Sequence, residues 1–325
     1  MSAITTLEVE GTLAVTPLTS VAVSARAVVR RYKNGCGAGP VDLDVRAGET
    51  VALMGRNGCG KTTLLRLLAT VSHPQSGEVQ WFGGDARTAR AHLGLALDGA
   101  LEDAGLTGRQ ATHFWCAQWI GDGGEVTSRT DAVLRRLGLA AAADEPVGSY
   151  SYGMRRRLAL AAAVVHQPAL ALLDEPTAGL DPDGCTQLGL LIAERSRQGR
   201  STLVASNDPR FVESVADRVA FLEEGVVIRC ASPRDLLAVL PQGRVAELVV
   251  DGGCPVTALR AVAGVIDVTA DGPTATVHFD GEHTIAALVA AADAPGGRLR
   301  ELRLRRPDLA DCFRDLTGRT LRERA

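Results

Sequence analysis

The chain has no apolar run of the about 20 residues that a membrane-spanning helix needs. Any task at a membrane would therefore need a span supplied by a separate polypeptide. A long basic run is also missing, and the 325 residues carry a formal charge of −3. Tight nucleic-acid binding is not expected. The seven cysteines are odd in number, scattered and without the paired spacing of a metal site. That usage fits a reducing cytoplasm better than a disulfide framework. The opening Met1-Ser-Ala-Ile-Thr-Thr-Leu-Glu-Val-Glu10 carries an acid and lacks a basic start ahead of an apolar core, so it does not read as a secretion signal. Residues 1–20 are expected to form a loosely held extension.

What is present is enough apolar material, 46%, for a proper core, in a chain long enough for two domains. From about Val21 to Leu237, strand-like runs alternate with helical stretches. This pattern implies an α/β fold with a mostly parallel sheet and crossover helices. The stretch Leu106 to Leu139 reads as helices without strands, which places a helical insertion at about 106–150. The pattern changes around Leu240-Pro-Gln-Gly243, so the domains are expected at 21–240 and 241–325. In the tail, Val245–Val250, Val265–Thr269, Thr274–Phe279 and Leu299–Arg305 read as strands. Val256–Val262 and Thr284–Ala292 read as helices. Strand-helix-strand-strand-helix-strand is the α+β ferredoxin-like order.

The stretch richest in chemistry is Gly55-Arg-Asn-Gly-Cys-Gly-Lys-Thr62, a match to G-x-x-x-x-G-K-[ST]. Glycines let the backbone curl so that its amides face phosphate oxygens. Lys61 adds a point charge for the β- and γ-phosphates, and the Thr62 hydroxyl suits Mg²⁺. The flanks agree: Glu49–Met54 reads as a buried strand, and Thr63–Leu68 as the opening of a helix whose N-terminus favours an anion. A second apolar strand, Ala169-Leu-Ala-Leu-Leu-Asp174-Glu175, ends in two acids. Asp174 is suited to Mg²⁺ and Glu175 to polarising an attacking water. Upstream, Ser149-Tyr-Ser-Tyr-Gly-Met154 opens a helix over Arg155–Val165, where Ser151 and Gly153 can receive a phosphate. Pro176-Thr-Ala-Gly-Leu-Asp181-Pro182 follows the acids.

In this order the motifs resemble the nucleotide-binding subunit of an ATP-binding-cassette (ABC) transporter, a P-loop NTPase, over about Val21 to Leu237. Gly55–Thr62 matches the Walker A loop, Tyr150–Met154 the signature, Ala169–Glu175 the Walker B strand and Thr177–Asp181 the D-loop. The resemblance implies an ATPase that uses ATP and Mg²⁺. One molecule would hold the nucleotide with Tyr32, Gly55, Arg56, Asn57, Gly58, Cys59, Gly60, Lys61, Thr62 and Thr63. A second, more readily an identical copy than a different one, would close over it with Ser151 and Gly153. Tyr32, the only tyrosine ahead of the phosphate loop and expected before the first strand pair, would stack on adenine. The metal would meet Thr62, Asp174 and Asp98, and catalysis would draw on Glu175, Lys61 and Asn207. The tail Leu299–Arg319, through Pro307, Leu309, Phe313 and Leu316-Thr-Gly318, resembles drug-exporter ATPases of the daunorubicin-resistance type. The implied setting is cytoplasmic, peripheral on the inner face of the membrane through a permease subunit.

Three positions depart from the family pattern. Asp98 stands where a glutamine is usual, Tyr152 where glycine or lysine is usual, and Asn207 where the switch histidine is usual. An amide can donate a hydrogen bond to a γ-phosphate but carries no charge. Binding of Mg-ATP with slow hydrolysis is therefore expected, with a barrier raised by about 2–4 kcal/mol, as when one oxyanion donor is lost. A regulator without a membrane partner, or a nucleotide sensor, is the alternative function.

Other residues carry weaker expectations. Cys59, beside Lys61 and a helix start, sits where a thiol pKa is lowered. Arg155-Arg156-Arg157 reads mainly as a solvated helix face, and His166 as a surface residue. Trp115 and Trp119, four apart on one helix face, suit either a groove for a helix of the membrane subunit or packing of the insertion on itself.

Overall fold

The computed structural model describes residues 20–33, 35–97, 105–240, 243–281, 284–293 and 297–321. The chain divides into two compact units, one reaching to Pro233 and the other spanning Arg234–Thr320. The expected extension 1–20 lies outside the described residues except for Ser20, and so does Asp98.

The first unit opens with β1 (Val21–Arg31), β2 (Gly37–Arg46) and β3 (Thr50–Met54), followed by α1 (Lys61–Leu68) and β4 (Ser76–Trp81). Strands β1, β2 and β4 form an antiparallel sheet in the order β2-β1-β4. Here the structure departs from the mostly parallel expectation. The link from β1 to β2 is only a short turn, and a turn that short can join antiparallel neighbours but not parallel ones. Alternation of buried and exposed residues along β2 shows a sheet with one covered face.

Next come α2 (Ala86–Ala89), β5 (Leu93–Ala96), α3 (Gly108–Ala117), α4 (Gly123–Arg136), α5 (Tyr152–Val164), β6 (Leu170–Asp174), α6 (Pro182–Arg197), β7 (Ser201–Ala205), α7 (Pro209–Val215), β8 (Arg218–Glu223) and β9 (Val226–Ala231). A six-stranded sheet runs β5-β6-β7-β3-β8-β9. Its pairs are parallel except for the antiparallel edge strand β9. Every residue of β3, β6 and β7 is buried, as expected for parallel strands covered on both faces. The stretch expected as a helical insertion contains α3 and α4. Thr107 starts α3 with a reciprocal capping box to Gln110, and Asp122 caps α4.

Register fixes where the site can form. Ala205 pairs with Leu53 on one side and Asp174 on the other. The loops that follow β3, β6 and β7 therefore leave the sheet at one level, at its carboxyl edge, where α/β sheets bind ligands.

The second unit follows α8 (Pro233–Ala238) with β10 (Arg244–Asp251), α9 (Val256–Arg260), β11 (Val265–Asp271), β12 (Thr274–Phe279), α10 (Thr284–Ala292), β13 (Arg298–Arg305) and α11 (Leu309–Thr317). Its antiparallel sheet runs β11-β12-β10-β13, the ferredoxin-like arrangement. Residues of β10 and β12 pack with Leu259 and Leu288 into a core of their own. Helix α11 was not among the expected elements. Asp308 caps it in a box with Asp311, and left-handed Gly318 ends it.

Candidate functional site

The loop between β3 and α1 is shaped by contacts that exclude side chains. Gly60 takes φ 109°, and a Cβ on it would lie 2.3 Å from the carbonyl oxygen of Gly37. A Cβ on Gly55 would lie 2.1 Å from that of Leu222. Only glycine fits such approaches. The loop presses at one end on β8 and at the other on the turn that carries Tyr32.

Lys61 begins α1 and is buried. Its Nζ donates to the carbonyls of Gly55 at 2.6 Å and Arg56 at 3.2 Å, and stands 3.7 Å from Oε1 of Glu175. The Thr62 hydroxyl donates to Oδ2 of Asp174 at 2.8 Å. Asp174 is buried, and its Oδ1 has no hydrogen-bond partner. A buried carboxylate oxygen without a donor is costly unless something positive serves it. This orphaned oxygen and the Thr62 hydroxyl are hard oxygen donors of the kind Mg²⁺ takes, so the residues fit that ion.

Glu175 follows directly, with φ 42°, in the left-handed region where a residue with a Cβ is strained. Its N–H donates to the carbonyl of Ala205 at 2.8 Å, at the end of β7. Burial pushes its carboxyl up from the usual carboxylate range, opposed by Lys61 and by a hydrogen bond from the Asn207 backbone. Asn207 thus reaches Glu175 through its main chain. Its side chain is engaged with the phosphate loop: Gly55 N–H donates to Oδ1 at 3.4 Å, and Nδ2 donates to Oδ1 of Asn57 at 3.0 Å.

These groups border one cavity of about 330 Å³, lined by Asn57, Gly58, Gly60, Lys61, Thr62 and Thr63, and also by Asp174, Glu175, Tyr32, Cys36 and Gly37. The size lies within the range of about 300–1,000 Å³ typical of ligand sites. Gly55, Arg56 and Cys59 shape the loop without lining the cavity. Tyr32 lies after β1, in the turn to β2, rather than before the strand pair as expected. It is 37% exposed, with the Arg30 guanidinium 5.5 Å from the ring centroid. A half-open ring at the mouth of the cavity can stack on a base.

Ser151 and Gly153 are not at this cavity. Ser151 caps α5, its hydroxyl accepting from the Met154 N–H at 3.2 Å. A Cβ on Gly153 would lie 2.4 Å from the carbonyl oxygen of Gly179, so this turn packs tightly on the loop after Glu175. The Tyr152 ring lies over Gly179, and the side chain is half exposed.

Several expectations need correction. Cys59 is buried in the core, and burial pushes its thiol pKa up, outweighing Lys61. His166 is no surface group. Its Nε2 lies 3.1 Å from the carbonyl oxygen of Leu93, its ring stacks on Trp119 at 5.4 Å, and burial lowers its pKa to about 4. Trp115 and Trp119 remain partly exposed beside Phe114. Arg156 is 3% exposed, not solvated. Its Nη2 donates to the carbonyl oxygens of Asp174 and, at 2.8 Å, Glu175. Sequence reasoning missed this residue because three arginines in a row look like a wet face. The available signal was helical phase: position 156 falls on the apolar stripe of Leu160 and Ala163.

A phosphate loop, a threonine bonded to a buried aspartate and a strained glutamate at the carboxyl edge of a parallel sheet define a P-loop ATPase. The comparisons give the family. Residues 38–178 match the ABC transporter family. The daunorubicin resistance ATP-binding protein DrrA2 of Streptomyces coeruleorubidus is 32% identical over 91% of this chain and 95% of its own length. The linearmycin resistance ATP-binding protein LnrL of Bacillus subtilis (strain 168) is 28% identical over 87% and 94%. Among solved structures, cbiO1 from Clostridium perfringens, part of the ABC transporter complex cbiONQ, superposes with a TM-score of 0.59 at 27% identity, covering 68% of this chain and 92% of that one. The chain belongs to the ABC transporter family as an ATP-binding subunit, a transport-coupled ATPase.

Proposed function

We propose that this subunit drives export of a small, drug-like molecule through a separate permease, binding Mg-ATP and hydrolysing it slowly. The observation that carries the reading is the convergence of Lys61, Thr62, Asp174 and Glu175 on one cavity. The drug-resistance names of the relatives support the cargo class. No helix among the described residues is long and apolar enough to cross a membrane, in keeping with a peripheral subunit on the inner face.

The residues divide the work. Tyr32 would stack on adenine. Amides of the loop and Lys61 would hold the β- and γ-phosphates, Lys61 exchanging its two carbonyl partners for phosphate oxygens. Thr62 and Asp174 would hold Mg²⁺, and the bound ion would neutralise charge on the phosphate oxygens. Glu175 would take a proton from the water that attacks the γ-phosphorus, and burial, by raising its pKa, makes it the stronger base. Ser151 and Gly153 would act on the nucleotide of a second, identical subunit, since they stand away from their own cavity.

Asn207 supports slow turnover, its amide being committed to Asn57 and Gly55. The test is phosphate release by the full-length protein beside the Glu175→Gln variant. We expect turnover to fall at least 100-fold in the variant and wild-type specific activity to rise with protein concentration. Unchanged turnover in Glu175→Gln, or a flat dependence at dilutions where the protein is monomeric, overturns the reading.

A further inference from the structure

We propose that Arg156 is a positioning residue for hydrolysis: it pins the backbone of Glu175 to the helix that begins at Ser151, and so sets the aim of the carboxylate. The inference rests on the assignment of Glu175 as the base. Arg156 lies one turn into α5, and of the three consecutive arginines it is the one that turns inward. Arg155 donates to the carbonyl of Tyr150, and Arg157 reaches the exposed Asp181. Arg156 crosses instead to the end of β6, where one guanidinium nitrogen serves two successive carbonyls, those of Asp174 and Glu175.

That target is a place where the chain needs holding. With φ 42°, Glu175 sits in a backbone well that is strained for a residue with a side chain. It stays there because its neighbours over-determine it. The N–H is held by Ala205, and the carbonyl receives both the Ala178 N–H at 3.1 Å and the Arg156 guanidinium. Arg156 spans both sides of the strained residue, gripping the carbonyl before it and its own. Hydrogen bonds from a buried cation to carbonyls are stronger than neutral ones. Removing this one frees the peptide to rotate, and the carboxylate swings with it. Lys61 donates its hydrogen bonds to the carbonyls of Gly55 and Arg56, and the Thr62 hydroxyl bonds the Asp174 side chain rather than that peptide, so ATP should bind nearly as before.

The inference also gives the signature helix a task inside its own chain. Four residues separate Ser151, which would face a partner's nucleotide, from Arg156, which holds the glutamate serving this chain's own. One rigid turn of helix links them.

The experiment compares full-length wild type with Arg156→Met, Arg156→Lys and Glu175→Gln. It measures kcat, KM for Mg-ATP, equilibrium ATP binding and the thermal midpoint. We expect Arg156→Met to lower kcat about 10- to 100-fold, the cost of misplacing a reacting group by about 1 Å. ATP affinity should stay within twofold. Arg156→Lys should recover at least a third of the wild-type kcat, because an ammonium can still reach both carbonyls. If Arg156→Met does not fold, the comparison of Arg156→Lys with Arg156→Gln decides by the same criteria. Unchanged kcat in Arg156→Met overturns the proposal. So does a parallel loss of kcat, ATP binding and thermal midpoint that lysine fails to rescue, which marks a structural role only. If Glu175→Gln retains wild-type turnover, the assignment of the base has failed, and the proposal falls with it for that separate reason.

Discussion

The two units bury charge in opposite ways. In the ATP-binding unit, the buried cations rest chiefly on main-chain carbonyls. Lys61 holds those of Gly55 and Arg56, Arg156 those of Asp174 and Glu175, and Arg195 those of Pro168 and Ser201. In the C-terminal unit, charges cancel in pairs. Arg305 meets Glu247, Asp308 and Asp311, and Arg314 meets Asp311 and His278. A carbonyl accepts a hydrogen bond but leaves the positive charge in place, whereas a carboxylate neutralises it. The first arrangement suits a site that must attract phosphate. The second suits a joint with no anion to recruit. Arg195 shows the strain of the first: burial, with Arg200 adding to it, lowers its pKa to about 9.

The sharpest break in this contrast is Asp311→Ala. It removes the buried carboxylate that Arg305 and Arg314 share, leaving Arg305 with only the carboxylates of Glu247 and Asp308, and should cost that unit about 3–5 kcal/mol, read by urea unfolding. Acid probes the same joint. Burial acts to raise the Asp311 pKa, but hydrogen bonds from Arg305 and His278 outweigh it and hold the carboxyl well below the usual range. A depressed folded-state pKa stabilises above the ordinary carboxylate range, and that stability is lost as the pH falls through and below it. Burial raises the neighbouring Asp308, which offsets part of the effect. Lys61→Ala tests the other side. Turnover should drop about 100- to 1,000-fold with little change in thermal midpoint, because Lys61 rests mainly on two carbonyls and its contact with the Glu175 carboxylate is a long 3.7 Å.

His166 offers a smaller, pH-dependent effect. Its pKa falls from 6.5 to about 4 on folding. Between those values the unfolded chain binds more protons, so the ATP-binding unit loses stability as the pH drops from 6.5 toward 4, by about 2 kcal/mol. Thermal melts across that window should show it, and His166→Gln should flatten it. Smallest is Asn207→His, expected to recover part of the about 2–4 kcal/mol attributed to the missing histidine and so to raise turnover at least about tenfold. A folded variant that binds ATP and turns over at the wild-type rate would remove Asn207 as the cause of slow hydrolysis.

Sequence alone revealed whatever a few adjacent residues decide. The phosphate loop, the two acids after β6 and the alternating strands of the tail are contiguous, and their chemistry or periodicity is local. It did not reveal what depends on partners far along the chain. Arg156 reaches residues 18 and 19 positions later, and His166 closes on Leu93 from 73 positions away. Cys59 was misread for the same reason: its neighbours in sequence are polar and charged, while its neighbours in space are the core. The antiparallel pairing of β1 and β2 could have been read from the shortness of their connection.

One contact binds two kinds of recognition together. The oxygen of Gly37 and the α-carbon of Gly60 meet with no room for a methyl group between them. The start of β2, directly after the turn that presents Tyr32, is therefore packed backbone to backbone on the phosphate loop. A change that widened the mouth for a bulkier base would also loosen the hold on the far end of the nucleotide. On the proposed roles of Tyr32 and the loop, recognition of the base and hold on the phosphates would be coupled through this one contact.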